Sequence, residues 1–253
     1  MHQESSLHLS IKDFSTPYHS KVINGVHVHQ SLLSRLDEKI YKYIETNYLL
    51  QLLESKKLYI ANRTTFKDRR EQGIKENKKK MCYPLPAKYE TLEQEEWGKE
   101  YLIKLTEAYK ICISCWTRDI HENCDESITN WNCYGTNTCR IQTTIRDLLE
   151  NMNCANFAAL IAPVKYSQEK IDDIENSIFR KYIAYQDEQE IRLCLLSLNH
   201  YENVEVNVEK MIKAIRLSPS NSNAYNKIFS EGTISLFPFL KNKIEVSHII
   251  ENL

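Results

Sequence analysis

The sequence predicts an α+β fold on a mainly antiparallel or mixed β-sheet with flanking helices. Short β-prone apolar runs recur along the chain and outnumber clean strand–helix–strand crossovers. Apolar residues also recur at helical spacing in a few intervening stretches. The chain has only 5 glycines in 253 residues and carries neither GxGxxG nor GxxxxGKS/T, so a Gly-rich phosphate loop is not expected.

Residues 1–38 read as an N-terminal extension, in which Val26-His27-Val28-His29 alternates like a short edge strand. The remainder, 39–253, reads as a single α+β domain with a helical insertion at about 72–108. Within it, 39–44 is a strand. Residues 47–56 form an amphipathic helix through Leu49, Leu50, Leu52 and Leu53, with Thr46 or Asn47 as cap. Residues 58–61 form the next strand, and 62–71 a polar loop turning into a helix.

The insertion holds a basic run at 75–80 and a charged helical stretch at 89–109. A strand follows at 111–117, then a polar connection over 118–129. Trp131 and Tyr134 stand three apart, as on one helical face. Residues 139–144 are a strand whose Thr144 caps a helix over 145–151. Residues 158–166 are a strand broken at Pro163, and 168–182 a helix. Strand 188–198 comes next, with 204–208 as its hairpin partner. Strand 211–217, a turn at 218–223, helix 224–230 and strand 243–247 complete the chain.

Composition narrows the function classes. Hydrophobic residues make up 42% and charged residues 26%, ordinary for a globular protein. A net charge of −1 supplies no global field for nucleic acid or acidic lipid. No window approaches the roughly 18 apolar residues of a membrane span, and residues 1–10 lack a secretory pattern. The expectation is a cytoplasmic protein with no membrane partner, whose 8 cysteines are reduced thiols.

Two constellations bear on chemistry. Cys112, Cys115, His121 and Cys124 are ligand types at C-x2-C-x5-H-x2-C spacing. Cys112 and Cys115, however, lie three apart in a predicted strand and would face opposite ways, so core thiols outweigh a zinc site. The second is Glu188, Glu190 and Arg192. At period two in a strand, these share one face, about 7 Å from one to the next. They form either a salt-bridge ladder or a pair of working carboxylates.

Several short motifs follow one another in order. They are Tyr41-Lys42-Tyr43, Phe66-Lys67-Asp68 with Glu71, Ser114-Cys115-Trp116-Thr117, Trp131 with Tyr134-Gly135, Tyr166, Glu188-x-Glu190-x-Arg192 and 215–218. Their order resembles a bacterial family of unknown function that includes AbiGi-type abortive phage infection proteins. Departures occur at Lys67-Asp68-Arg69, at Asn130 and at Tyr185.

More distantly, the early, middle and late motifs are similar to those of ADP-ribosyltransferases, which are built on a split β-sheet. That resemblance implies NAD as substrate and a phage-defence or toxin-type NAD-dependent ADP-ribosyltransferase or NAD glycohydrolase. Glu190 would stabilise an oxocarbenium-like state, Glu188 would orient or deprotonate the acceptor, and Ser114 would support Glu190. Tyr41, Lys42 and Tyr43 would lie against the cofactor, with Trp131 or Tyr134 stacked on nicotinamide. Lys42 stands where that family carries Arg or His. A protein or nucleic-acid acceptor and a partner protein of a defence operon are implied as well.

Two further readings stay open. One is a non-catalytic binding or antitoxin-like component of a defence system. The other is a nucleic-acid-binding or nucleic-acid-modifying protein using Arg63, Arg69, Arg70 and residues 78–80.

Overall fold

The computed structural model describes residues 21–63, 110–118, 126–168, 178–197, 201–247 and 249. Within them, alternating apolar residues build one large mixed sheet with helices against it.

The sheet begins with β1 (Lys21–Ile23) and β2 (Val26–Val28), joined as a tight antiparallel hairpin. Val26 and Val28 are fully buried, while His27 faces the other way. β2 is not an edge strand, because it pairs in parallel with β7 (Ala158–Pro163). The short helix α1 (Gln30–Leu33) follows, its start capped by the His29 ring accepting from Ser31 N.

Next come β3 (Lys39–Glu45), α2 (Thr46–Ser55) and β4 (Lys57–Asn62). α2 buries Leu49, Leu52 and Leu53 as its spacing requires. Its cap position is Glu45, not Thr46 or Asn47: the Thr46 hydroxyl donates instead to Asn137 O and pairs with Tyr225 Oη.

β5 (Lys110–Thr117) runs through the centre. α3 (Ile128–Tyr134) starts at a Ser127 cap and stops at Gly135, whose φ of 74° suits a residue without Cβ. β6 (Thr138–Thr144) leads into α4 (Ile145–Glu150) through the predicted Thr144 cap, whose hydroxyl accepts from Asp147 N at 3.0 Å. β7 breaks at Pro163, and β8 (Lys165–Ser167) continues beyond it.

Five expectations change downstream. Residues 180–182 are not helical: they form β9 (Arg180–Tyr182), parallel to β8, and a 3-10 turn over Ile183–Glu188 follows. β10 (Glu190–Ser197) therefore starts at Glu190, and Glu188 lies outside the strand. β11 (Tyr201–Glu205) pairs with β4, so it is no hairpin partner of β10. The run 211–217 divides into α5 (Val208–Met211), capped by Asn207, and β12 (Ala214–Leu217). α6 (Asn223–Leu236) is longer than expected, and β13 (Ile244–Val246) pairs in parallel with β12. The expected insertion at 72–108 and the loop-to-helix turn after Arg63 lie outside the described residues.

The strand order is β1-β2-β7-β10-β5-β3-β6-β12-β13, with β4 and β11 branching from β5. β5 thus has β10 on one side and two neighbours on the other. β4 meets it at Ile113 and Cys112, whereas β3 meets it at the pair Tyr41↔Thr117. Between these contacts the sheet forks.

The two faces differ. One carries Ile40, Ile141, Trp116, Ile191 and Leu193 into the main core, with α2 and α4 packed on it. The register puts Tyr41, Tyr43, Cys115, Thr117, Arg140, Glu190 and Arg192 on the other. No helix among the described residues is long and apolar enough to cross a membrane.

The Thr144 cap gives a direct stability test. Thr144→Ala is expected to cost about 1 kcal/mol and to lower the thermal midpoint by about 2–4 °C, read by circular dichroism. An unchanged midpoint would show that the cap does not anchor α4.

Candidate functional site

Glu190 is the first residue of β10, and its carboxylate is buried on the polar face at 7% exposure. Arg192 lies two residues on, fully buried on the same face. Its Nε and Nη2 donate to Glu190 Oε2 at 3.1 and 2.9 Å. Its Nη1 donates to Ile178 O at 2.7 Å.

Lys181, on β9, places its ammonium 2.5 Å from Glu188 Oε2 and 3.7 Å from Glu190 Oε2. That ammonium also lies 4.9 Å from the centre of the Tyr185 ring. Two carboxylates and two cations thus form one continuous chain.

Burial alone would push the Glu190 carboxyl up. The charges of Arg192 and Lys181, with hydrogen bonds from Cys115 and Arg192, more than reverse this and hold it below the usual carboxylate range. The Cys115 thiol is pushed well up, first by burial and then by the field of Glu190. It is a neutral donor, not a nucleophile.

Beside this cluster stands an aromatic stack. Tyr43 packs edge-on against Trp131 at 4.9 Å and stacks with Tyr134 at 5.6 Å. Tyr43 and Trp131 are buried, and Trp131 Nε1 donates to Glu126 Oε2 at 2.9 Å. Tyr134 is 50% exposed. Its phenol is pushed up by desolvation and by the fields of Cys115, Glu190 and Glu188. Of the two predicted stacking residues, Tyr134 therefore has ring surface to offer and Trp131 does not.

Lys42 lies on β3 between Tyr41 and Tyr43. Its ammonium donates to Ser114 Oγ and to Cys115 O, each at 3.2 Å. Both acceptors lie where β5 has lost β4 and not yet gained β3, so the lysine closes the fork. Burial pushes its ammonium below its ordinary value, against the fields of Cys115 and Glu190.

Ser114 alternates to the apolar face, opposite Leu193. Its hydroxyl serves Lys42, and it is the Cys115 thiol that supports Glu190. Tyr41 is buried on the polar face with the Arg140 guanidinium 4.2 Å from its ring centre.

The structure therefore gathers Glu188, Glu190, Tyr43 and Tyr134, with Lys42 behind them, and turns Ser114 away. It adds Lys181, Cys115, Tyr166 and Arg118. Tyr166 accepts from Glu190 N at 2.8 Å. Of these additions, only Tyr166 stood among the ordered motifs as a residue in its own right.

As for zinc, Cys112 and Cys115 lie on opposite faces of β5, and His121 and Cys124 lie outside the described residues. Among the described residues no group of three or more His, Cys, Asp or Glu is arranged to hold a metal. Arg63 is buried, and Arg69, Arg70 and residues 78–80 lie outside the described residues. Comparison of the chain with family models, with curated proteins and with solved structures gives no match in any of the three.

The Glu190–Arg192 pair fixes a pH dependence. A carboxyl whose folded value is depressed stabilises the fold above its unfolded value, near 4.3, and that contribution is lost as pH falls through the folded value. Glu190→Gln strands Arg192 and is expected to cost on the order of 3 kcal/mol at pH 7 in urea unfolding. The gap to wild type should narrow steadily below about pH 4. A gap independent of pH would contradict an ionised Glu190.

Proposed function

We propose that the protein consumes NAD, as an ADP-ribosyltransferase or NAD glycohydrolase of the phage-defence or toxin type. The observation that carries this reading is a buried carboxylate, Glu190, held ionised beside an exposed tyrosine face at a fork in a sheet.

The chemistry follows from the charge. When the bond between ribose C1′ and the nicotinamide nitrogen breaks, its electron pair leaves with nicotinamide and positive charge spreads over the ribose ring. A fixed carboxylate in a water-poor site lowers that barrier, because it need not reorganise. Arg192 and Lys181 keep Glu190 charged in position. The outer face of Tyr134 is the place for the nicotinamide ring. Water or an acceptor group attacks C1′, and its proton passes to Glu188 or to solvent. Lys42 differs from the Arg or His of the resembled family, and its hydrogen bonds support the fork between the two halves of the sheet.

One observation favours a second reading. Glu188, Lys181, Glu190 and Arg192 balance one another in charge, as a structural network in a non-catalytic binding component would.

Turnover separates the two. Wild type incubated with NAD should release nicotinamide, and Glu190→Gln, checked for folding by its thermal midpoint, should lose about 100-fold or more in kcat. Tyr134→Ala should raise KM about tenfold with kcat nearly unchanged, since stacking is shared by ground and transition states. Equal turnover in wild type and Glu190→Gln removes Glu190 from the mechanism, and no nicotinamide release by wild type removes the enzyme reading. No turnover with saturable NAD binding leaves the binding component.

A further inference from the structure

We infer that Arg118 and Tyr166 are positioning residues. They pin the Gln189–Glu190 peptide and so hold Gln189 in the left-handed turn that brings Glu188 and Glu190 to one ammonium. The inference rests on the NAD-consuming reading only for its activity arm.

In a straight strand, the side chains of residues 188 and 190 would stand about 7 Å apart on one face. The observed arrangement differs. Glu188 ends the 3-10 turn and Glu190 begins β10. Gln189 between them has φ 45° and ψ 48°. That is the left-handed region, which a residue with Cβ avoids and in which glutamine has no special advantage. The turn swings Glu188 back, so that both carboxylates meet Lys181. A strained residue persists where its surroundings over-determine it.

The surroundings here can be named. Arg118 donates to Gln189 O from its backbone N at 3.2 Å and from Nε at 3.4 Å, and from Nη2 to Gln189 Oε1 at 3.0 Å. On the far side of the same peptide, Glu190 N donates to Tyr166 Oη at 2.8 Å. Gln189 also closes on its own turn: its backbone N and its Nε2 both donate to Gln186 O, at 3.2 and 2.8 Å.

Arg118 immediately follows β5 and Tyr166 lies on β8, so the clamp draws from both sides of β10. The guanidinium fork matters, since one side chain reaches both a carbonyl and a side-chain amide. Neither clamp residue need touch a substrate. Each acts by fixing where two carboxylates stand.

Glycine at 189 tests the backbone part. Glycine adopts the left-handed turn without strain, whereas alanine keeps the strain and likewise removes the side-chain contact to Arg118. Arg118→Met is therefore made in the full chain in three backgrounds: Gln189, Gln189→Ala and Gln189→Gly. The expected fall in thermal midpoint is several degrees with Gly at 189 and less than half of that with Ala, where letting go of the peptide also releases the strain of the turn. Equal falls in the Ala and Gly backgrounds overturn the clamp.

In turnover, Arg118→Met and Tyr166→Phe should each lower kcat about tenfold or more, with KM for NAD within about twofold. Gln189→Gly should recover most of the Arg118→Met loss, and Arg118→Lys should not match wild type. A rise in KM with kcat unchanged would mean that Arg118 binds substrate itself, which also overturns the inference. If wild type consumes no NAD, the proposed function fails, and the midpoint comparison still decides the clamp.

Discussion

A carboxylate and a guanidinium two residues apart on β10 are both buried, and neither is tolerable there alone. Removing two charges from water costs several kcal/mol each in practice, and their mutual attraction repays this only with good geometry and further hydrogen bonds. Arg192 supplies two donors to Glu190 Oε2 and a third to Ile178 O. Lys181 and Cys115 complete the surroundings of Glu190. β8, β9 and the 3-10 turn bring Tyr166, Lys181 and Glu188 to this pair. The pair dictates what must pack beside it, so the small parallel β8–β9 unit has a reason to sit there.

The same economy explains the fork. β5 cannot pair along its whole length with both β4 and β3 on one side, and Cys115 O falls in the interval. Lys42 reaches into that interval and donates to this carbonyl and to Ser114. An unmet buried carbonyl would cost about as much as a lost hydrogen bond. The polar face, with Tyr43 and Tyr134 stacked beside Glu190, is therefore organised at a discontinuity of the sheet, while the opposite face closes as an ordinary apolar core.

Much of this was legible from residue patterns. Alternation located β3, β4, β5 and β6, and the Thr144 cap and the break at Pro163 stand as expected. Alternation also separated Cys112 from Cys115. The failures have physical causes. Glu188 and Glu190 read as one strand because nothing local announces that Gln189 takes a left-handed turn; the stabilising partners come from Arg118 and Tyr166, far away in sequence.

Lys181 was lost inside a predicted helix, since Arg180–Tyr182 becomes a strand only by pairing with β8. Ser114 looked like a partner for Glu190, yet alternation on β5 gives that place to Cys115. Trp131 and Tyr134 do share a helical face. Only burial distinguishes Trp131, tied to Glu126, from the half-exposed Tyr134.

The central claim is that Glu190 is an ionised, ligand-facing carboxylate kept charged by buried cations. Its side-chain carboxyl carbon can be followed by NMR in glutamate-labelled protein, titrated with and without NAD. The account predicts a titration below the ordinary carboxylate range in the free protein and a changed Glu190 signal on adding NAD. A Glu190 that titrates in the ordinary range, or that NAD leaves unmoved at saturating concentration, would contradict it.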